Sequence, residues 1–316
     1  MKKILVVGAN GQIGSELTTR LREVYGAQNV VASDIQAQPG NFAIDGPYHR
    51  LDALEIQSMA YLVSKYNIDT IFNLVALLSA TGEANPNLAW NINIGALRSA
   101  LEVARLFGCA VFTPSSIGAF GPNTPKDLTP QDTIMRPNTM YGVCKVTGEL
   151  LSDYYFTRFG VDTRSVRFPG LISNVTLPGG GTTDYAVEIY YAAVKEGHFT
   201  CPLPKDMFID MMYMPDALNA CIRLMEADPK RLIHRNSFNI ASMSFSPEII
   251  FNAIKKEMPS FTMDYVEKPN LTAIADSWPN QLDDSAARAE WDWKPEWDLE
   301  SMTKDMLKIL GERFRK

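Results

Sequence analysis

The sequence predicts an α/β fold, a doubly wound parallel sheet followed by a smaller C-terminal α/β portion. Three observations predict it. A glycine-rich turn joins the first apolar run to a helical pattern. Apolar runs of strand length then alternate with helix-length segments as far as residue 168. Beyond Phe168 the texture changes to shorter strands and helices.

The first element is the apolar run Ile4-Leu5-Val6-Val7, ending at Gly8-Ala9-Asn10-Gly11-Gln12-Ile13-Gly14. Ile13, Leu17, Leu21 and Val24 recur at three- and four-residue spacing, which predicts a helix. A second strand, Val30 to Ser33, ends at Asp34. Strand, glycine turn, helix, strand and acid is the order that builds a dinucleotide site. One glycine tolerates backbone angles closed to other residues, another lets the backbone approach a pyrophosphate, and the third lets the helix pack on its strand. The helix N-terminus offers unpaired N–H groups and partial positive charge to an anion. Asp34 lies 20 residues past Gly14, where a carboxylate binds the adenosine ribose hydroxyls. The glycine spacing is GxxGxxG, one residue wider than GxGxxG. The alternative, a tight turn without a ligand, is disfavoured by the strand, helix and acid around it. A Rossmann-type NAD-binding domain is therefore expected over 1–168, with a mainly substrate-binding portion over 169–316. Segments of that second portion are expected to return and pack on the first.

After Asp34 comes a polar loop with Pro39, Gly40 and Pro47, then a brief strand at His49-Arg50-Leu51. Asp52 and Ala53 sit where an adenine amino group would be bound. A helix is expected from Ala53 to Tyr66, a strand from Thr70 to Val75, a helix from Asn87 to Phe107 and a strand from Cys109 to Thr113. The Pro/Gly/Asn/Thr-rich stretch from Gly118 to Asn138 reads as a long functional loop. Met140 to Phe159 is helical, and Thr163 to Arg167 is the sixth strand. Ligands in such folds sit beyond the carboxyl ends of the strands, so the loops after strands four, five and six mark the site. Pro178-Gly179-Gly180-Gly181-Thr182-Thr183-Asp184-Tyr185 is expected to act as a lid, Gly179 to Thr183 closing over substrate. Trp291, Trp293 and Trp297 are expected to pack the C-terminal segment.

Composition excludes several classes. Net charge is −6 with pI near 5.2, and no basic run stands out, which argues against nucleic acid or an acidic membrane as partner. Cys109, Cys144, Cys201 and Cys221 are widely spaced and read as reduced thiols of a cytoplasmic protein. His49, His198 and His234 lack metal-ligand spacing, and no metal is expected. Lys2-Lys3 before an apolar run resembles a signal peptide, but the run breaks at Gly8 without a cleavage site, and no segment approaches a membrane span.

The chemistry centres on Tyr141-Gly142-Val143-Cys144-Lys145, a YxxxK at the start of a helix. Residues four apart share a helix face, and an ammonium beside a phenol favours its ionised form. Such a pair takes a proton from an alcohol while a nicotinamide takes the hydride, and the lysine also bonds the nicotinamide ribose. Tyr61/Lys65 and Tyr191/Lys195 share the spacing. Only Tyr141 follows the fifth strand, whose end carries Ser115-Ser116. Ser116, 25 residues before Tyr141, is the better partner, its hydroxyl bonding the substrate oxygen. The other two tyrosines are expected on solvated helix faces.

GxxGxxG, Ser115-Ser116, the 25-residue gap and YxxxK together resemble the extended short-chain dehydrogenase/reductase superfamily. Four stretches, Ala76 to Ala80, Pro178 to Ala186, Met211 to Met214 and Ala275 to Pro279, resemble within it the short-chain type of L-threonine 3-dehydrogenase. Asp283-Asp284-Ser285 and Leu299 to Met306 fit as well, so the resemblance spans essentially the whole chain. It implies NAD-dependent oxidation of the threonine 3-hydroxyl to 2-amino-3-oxobutanoate. Tyr141 is then the base, Lys145 its activator and Ser116 the hydroxyl anchor. Ser79, Gly181 and Thr182 line the amino-acid end. Asp184 is a candidate for the substrate ammonium, or a cap for the following helix. The cofactor set expected on this reading is Gly8, Gly11, Gln12, Ile13, Gly14, Asp34, Asp52, Ala53, Leu74, Ala76, Ser115, Tyr141, Lys145 and Pro169. The resemblance also implies a homodimer through helices around Leu97–Phe107 and Thr147–Phe159.

Two other readings are a nucleotide-sugar epimerase or dehydratase on the same scaffold, and an NAD-binding regulator without catalysis. The regulator is disfavoured by intact Ser116, Tyr141 and Lys145. Nucleotide-sugar enzymes of this type resemble one another in an Arg-Asp pair leading to an acid that matches Asp216. Counting back from Asp216 puts Asp210 at that acid and Ile209 at the arginine. Without the guanidinium a bidentate phosphate clamp is missing. Arg164, Arg167 and Arg235 are left as other arginines for a phosphate.

Overall fold

In the computed structural model, which describes every residue except 41, 43–44, 177–180 and 315–316, the run Ile4–Val7 forms β1, buried at all four positions. It leads through the glycine turn into α1 (Gln12–Tyr25), then β2 (Val30–Asp34), β3 (Tyr48–Arg50), α2 (Ile56–Tyr66), β4 (Thr70–Asn73), α3 (Ser79–Ala84) and α4 (Pro86–Phe107). The rest of the first half is β5 (Ala110–Phe112), β6 (Ser115–Ser116), α5 (Met140–Phe159), β7 (Thr163–Arg164) and β8 (Val166–Phe168). Six strands make one sheet in the order β3-β2-β1-β4-β5-β7, every pair parallel. This is the doubly wound Rossmann arrangement, with its switch point between β1 and β4.

Parallel strands need crossover helices, and these bury both faces of the sheet. The period of two along β1 shows how. Ile4 and Val6 share a core with Leu17 and Leu21 of α1, whereas Leu5 and Val7 pack with Met59 and Leu62 of α2 and Leu97 and Leu101 of α4. The expected elements are recovered with shifted ends. The helix expected from Ala53 starts at Ile56, because Asp52 accepts the Leu54 and Glu55 amides and holds the chain in a turn.

The second half comprises β9 (Gly170–Ile172), α6 (Tyr185–Lys195), β10 (His198–Cys201), β11 (Ile209–Tyr213), α7 (Met214–Glu226), β12 (Phe238–Asn239) and β13 (Met243–Phe245). It ends with α8 (Pro247–Glu257), β14 (Thr262–Tyr265), α9 (Pro269–Asp276), α10 (Ser285–Trp291) and α11 (Leu299–Phe314). Its strands form small sheets, β13-β11-β9, β12-β8-β6 and β10-β14. Part of it lies against the large sheet, since Met214, Ala217 and Leu224 of α7 share a core with Ile4, Val6 and Leu17. Trp291 and Trp293 are buried in that same core, and Trp297 stands edge-on to Tyr213, as expected of packing tryptophans.

Two expectations change. The sixth strand is split: Thr163–Arg164 pairs with β5, but from Val166 the chain pairs with β6 and β12. Ser165 makes the crossing, bonding Arg235 and Phe238 through its backbone. The stretch from Gly118 to Asn138 is a brace rather than a binding loop. It contributes no residue to the cleft described below, but Lys126 and Thr129 bond Asn280, Gln281 and Asp283 and hold the segment after α9. Pro178, Gly179 and Gly180 of the expected lid lie outside the described residues. No helix among the described residues is long and apolar enough to cross a membrane.

Candidate active site

The expected cofactor residues fall in strand order along one edge of the sheet. Asp52 follows β3, Asp34 ends β2, Gly8 to Gly14 follow β1, Leu74 and Ala76 follow β4, and Ser115 follows β5. Gly8 takes φ +86°, and a Cβ on Gly14 would sit 2.0 Å from the Gly8 carbonyl oxygen. The turn therefore requires glycine at both positions. The Asp34 carboxylate is fixed by two backbone amides, from Asn10 at 3.0 Å and Gln36 at 3.2 Å. No arginine is adjacent to Asp34 in sequence, yet Arg50 lies opposite it on β3 and donates to the Ile35 carbonyl at 3.1 Å. These residues fit a dinucleotide, with a backbone cradle at α1 and an acid at the ribose end.

Ser116, Tyr141 and Lys145 meet where β6 abuts the start of α5. Thr139 caps the helix by accepting the Gly142 amide at 3.1 Å, which puts Tyr141 in the first turn. Two glycines permit the close approach: a Cβ on Gly142 would lie 2.2 Å from the Gly118 carbonyl, and one on Gly118 would lie 3.0 Å from the Tyr141 ring. Lys145 holds its ammonium 5.3 Å from the Tyr141 ring centroid and donates to the Pro114 carbonyl at 2.6 Å. Ser116 accepts the Gly118 amide at 3.1 Å, which leaves its hydroxyl hydrogen for a ligand. Ser115 instead donates to the buried carboxylate of Glu149.

These side chains line a cleft of about 830 Å³, open solvent at its mouth included. Gln12, Ile13, Leu74, Ala76, Ser115 and Pro169 line the cofactor side, and Ser79, Ser116, Tyr141, Lys145, Gly181 and Thr182 also face it. Gly8, Gly11, Gly14, Asp34, Asp52 and Ala53 lie outside the lining. Thr182 is buried, with a hydroxyl that has no partner among the described residues. Asp184 lines the cleft too, and it does not cap α6; its carboxylate accepts the Gly181 amide at 2.7 Å.

Thr183, the last residue of the expected lid, lines the cleft, and so do Leu78, Ile117 and Trp278, to which the sequence assigned no site role. Trp278 stands on the segment after α9, which the Gly118–Asn138 stretch braces; it lies in the Ala275 to Pro279 stretch that carries the resemblance, but nothing in that stretch assigns it to the cleft. Among the lining residues, Lys145 and Asp184 are the ones that carry charge.

The arginines left as phosphate ligands are engaged elsewhere. Arg164 and Arg235 pair with Asp162, and Arg167 pairs with Glu149. Ile209 is fully buried in the core behind the cleft. Asp216 accepts the Glu296 and Trp297 amides and anchors the chain before α11.

The competing Tyr/Lys pairs differ from expectation in one case. Tyr61 is solvated, but Tyr191 is buried against Phe314, and burial raises its phenol. Neither lines the cleft. All four cysteines are free and buried, and no metal-binding cluster occurs among the described residues.

Fold and site are those of a dinucleotide-dependent enzyme. The NAD dependent epimerase/dehydratase family matches residues 4–241; the chain belongs to that family, and its cofactor is NAD. A protein of Staphylococcus haemolyticus described as an uncharacterized epimerase/dehydratase is 54% identical over 99% of each chain. The solved L-threonine dehydrogenase of Clostridium difficile is 54% identical, covers 99% of this chain and 98% of its own, and superposes with a TM-score of 0.97. A monomeric L-threonine 3-dehydrogenase of metagenomic origin is 40% identical, with a TM-score of 0.93 over 98% of this chain and 99% of its own.

Proposed function

We propose that the enzyme oxidises the 3-hydroxyl of L-threonine to 2-amino-3-oxobutanoate. The observation that carries this is the charge of the cleft: beside Ser116 and Tyr141 stand one acid, Asp184, and one ammonium, Lys145, with no guanidinium among the described lining residues. The glycine turn at α1 serves the diphosphate of NAD. The second diphosphate of a nucleotide sugar would draw on further cationic partners, whereas a small zwitterion is served by one carboxylate and a few neutral donors. Similarity to solved L-threonine dehydrogenases supports the same reading.

A bound NAD would supply the acceptor for the hydride that leaves C3. The chain's residues do the rest. Ser116 bonds the substrate hydroxyl and holds it against Tyr141. Tyr141 takes the hydroxyl proton on its phenolic oxygen. Lys145, fixed by the Pro114 carbonyl, supports negative charge on that oxygen and would help hold the nicotinamide ribose. Ser79, Gly181 and Thr182 hold the amino-acid end, and the unpartnered Thr182 hydroxyl is a donor or acceptor for it. Asp184 stands nearest in charge to an ammonium.

NADH formation on a panel of hydroxy-amino acids and nucleotide sugars tests the reading. The rival, a nucleotide-sugar epimerase or dehydratase, is favoured by the family's breadth and predicts the opposite pattern.

A further inference from the structure

Beneath the cleft lies a buried ion pair that the reaction does not use directly. Glu149 sits one helical turn beyond Lys145 on α5, so Tyr141, Lys145 and Glu149 follow one face. Its side chain is 6% exposed, as is that of Arg167 on β8. The guanidinium grips it bidentately, Nη2 to Oε2 at 2.8 Å and Nε to Oε1 at 3.1 Å. Ser115 donates its hydroxyl to the same Oε1. Ser115 and Arg167 are register partners on β6 and β8, so Glu149 clasps both strands from the helix above. Arg167 reaches further, to the Gln131 carbonyl at 2.8 Å, to Asn239 at 3.0 Å and over the Phe120 ring.

This arrangement is poorly explained by stability alone. A buried ion pair roughly breaks even against an apolar pair of the same volume. Its position says more. β6 is two residues long and pairs with β8 alone, so its ladder bonds restrain it weakly. Yet β6 carries Ser116, whose hydroxyl must be held within a fraction of an ångström of its productive place relative to Tyr141. The hydrogen bond from Ser115 to Glu149 ties β6 to the helix that carries Tyr141. It also commits the one hydrogen of Ser115, so that serine oxygen presents only an acceptor to the cleft.

We propose that Glu149 is a positioning residue: acting through Ser115, it locks β6 against α5 and sets Ser116 relative to Tyr141. The kinetic arm of its test rests on the L-threonine reading, and the exchange arm rests on the fold alone.

The test is a double-mutant cycle of Glu149→Ala and Ser115→Ala, read as kcat for NADH formation. Glu149→Ala, which leaves Ser115 no acceptor, should lower kcat by about tenfold or more while KM for NAD stays within about threefold. In the Ser115→Ala background the same change should cost no more than about twofold, because the link is already cut. An equal loss in both backgrounds, or an unchanged kcat beside a lowered melting temperature, overturns the proposal. Should Glu149→Ala fail to fold, Glu149→Asp keeps the charge for Arg167 while withdrawing from Ser115, and the same cycle applies. Hydrogen exchange without substrate gives the independent arm. The amides of Ser115 to Gly118 should lose protection in the Glu149 variant while those of Ile4–Val7 keep theirs; equal protection at Ser115 to Gly118 contradicts the proposal. If the wild type makes no NADH from L-threonine, the substrate reading falls and the exchange arm decides this one.

Discussion

Tyr141 is one of three tyrosines followed four residues later by lysine, and its surroundings separate it from the other two. Tyr141→Phe removes the proposed base and should lower kcat by on the order of 10²–10⁴. Tyr61→Phe, on the surface, and Tyr191→Phe, in the core near Arg313, should each leave kcat within a few-fold. Steady-state kinetics of the three variants checks this, and an inactive Tyr191→Phe would place the site elsewhere.

Asp34 is the proposed determinant of cofactor choice at the same scale. A carboxylate there would repel a 2′-phosphate and bond ribose hydroxyls, so NAD should exceed NADP by at least roughly tenfold in kcat/KM, worth about 1.4 kcal/mol. Asp34→Ser should narrow the gap, because Arg50 on the next strand then faces the phosphate. Equal use of the two cofactors by the wild type would contradict this.

Asp210 gives a third expectation. Complete burial pushes its carboxyl from 3.8 up to about 8, with Asp284 adding to the rise and the Leu282 amide opposing it. A raised acid binds its proton more tightly in the folded state. Its stabilising effect is therefore full below the unfolded value and is lost as pH rises from about 4 to about 8. Thermal melts should show wild-type stability falling across that window relative to Asp210→Asn, which has no proton to lose. Parallel pH profiles for the two would refute this.

Much of the site is legible at this scale because its residues cluster in short motifs. Arg50 and the Glu149–Arg167 pair are not, since each acts across a distance in sequence that no local pattern encodes, and for Trp278 the motif is legible while its place in the cleft is not.

At the scale of elements, periodicity reports which face of a helix or strand is buried but not which neighbour buries it. It located β1, α4 and α5 closely. It joined β7 to β8, because Ser165 alone separates them and the crossing there depends on distant Arg235 and Phe238. It also left the outer faces of α4 and α5 to be seen in three dimensions. Leu106, Phe107, Val143, Leu150 and Tyr154 are exposed there to between 38% and 61%, while Leu97 is turned inward. Such an apolar surface on two adjacent helices fits the expected homodimer. Light scattering should give roughly twice the 35.2 kDa chain mass, and Leu150→Lys with Tyr154→Lys should halve it. A wild-type monomer, the state described for one solved relative, would contradict the dimer.

At the scale of the whole molecule, the parallel sheet follows from the alternation of strands and helices, and the dinucleotide edge follows from the sheet. The smaller sheets of the second half are not legible in detail, because strands of two to five residues carry too few positions for a period to show. Substrate choice emerges only at this scale. The cleft is walled by residues as distant as Ser79, Tyr141, Thr182 and Trp278, and Arg164, Arg167 and Arg235 are held in ion pairs outside its lining.

The most direct measurement is NADH formation by the purified enzyme with NAD and, in separate reactions, L-threonine, D-threonine, L-allo-threonine, and UDP- and GDP-sugars. The account predicts turnover of L-threonine and none of the nucleotide sugars. It predicts poor turnover of the other two stereoisomers, since the C3 hydrogen must face the nicotinamide while the hydroxyl meets Tyr141. Turnover of a nucleotide sugar with none of L-threonine would contradict it.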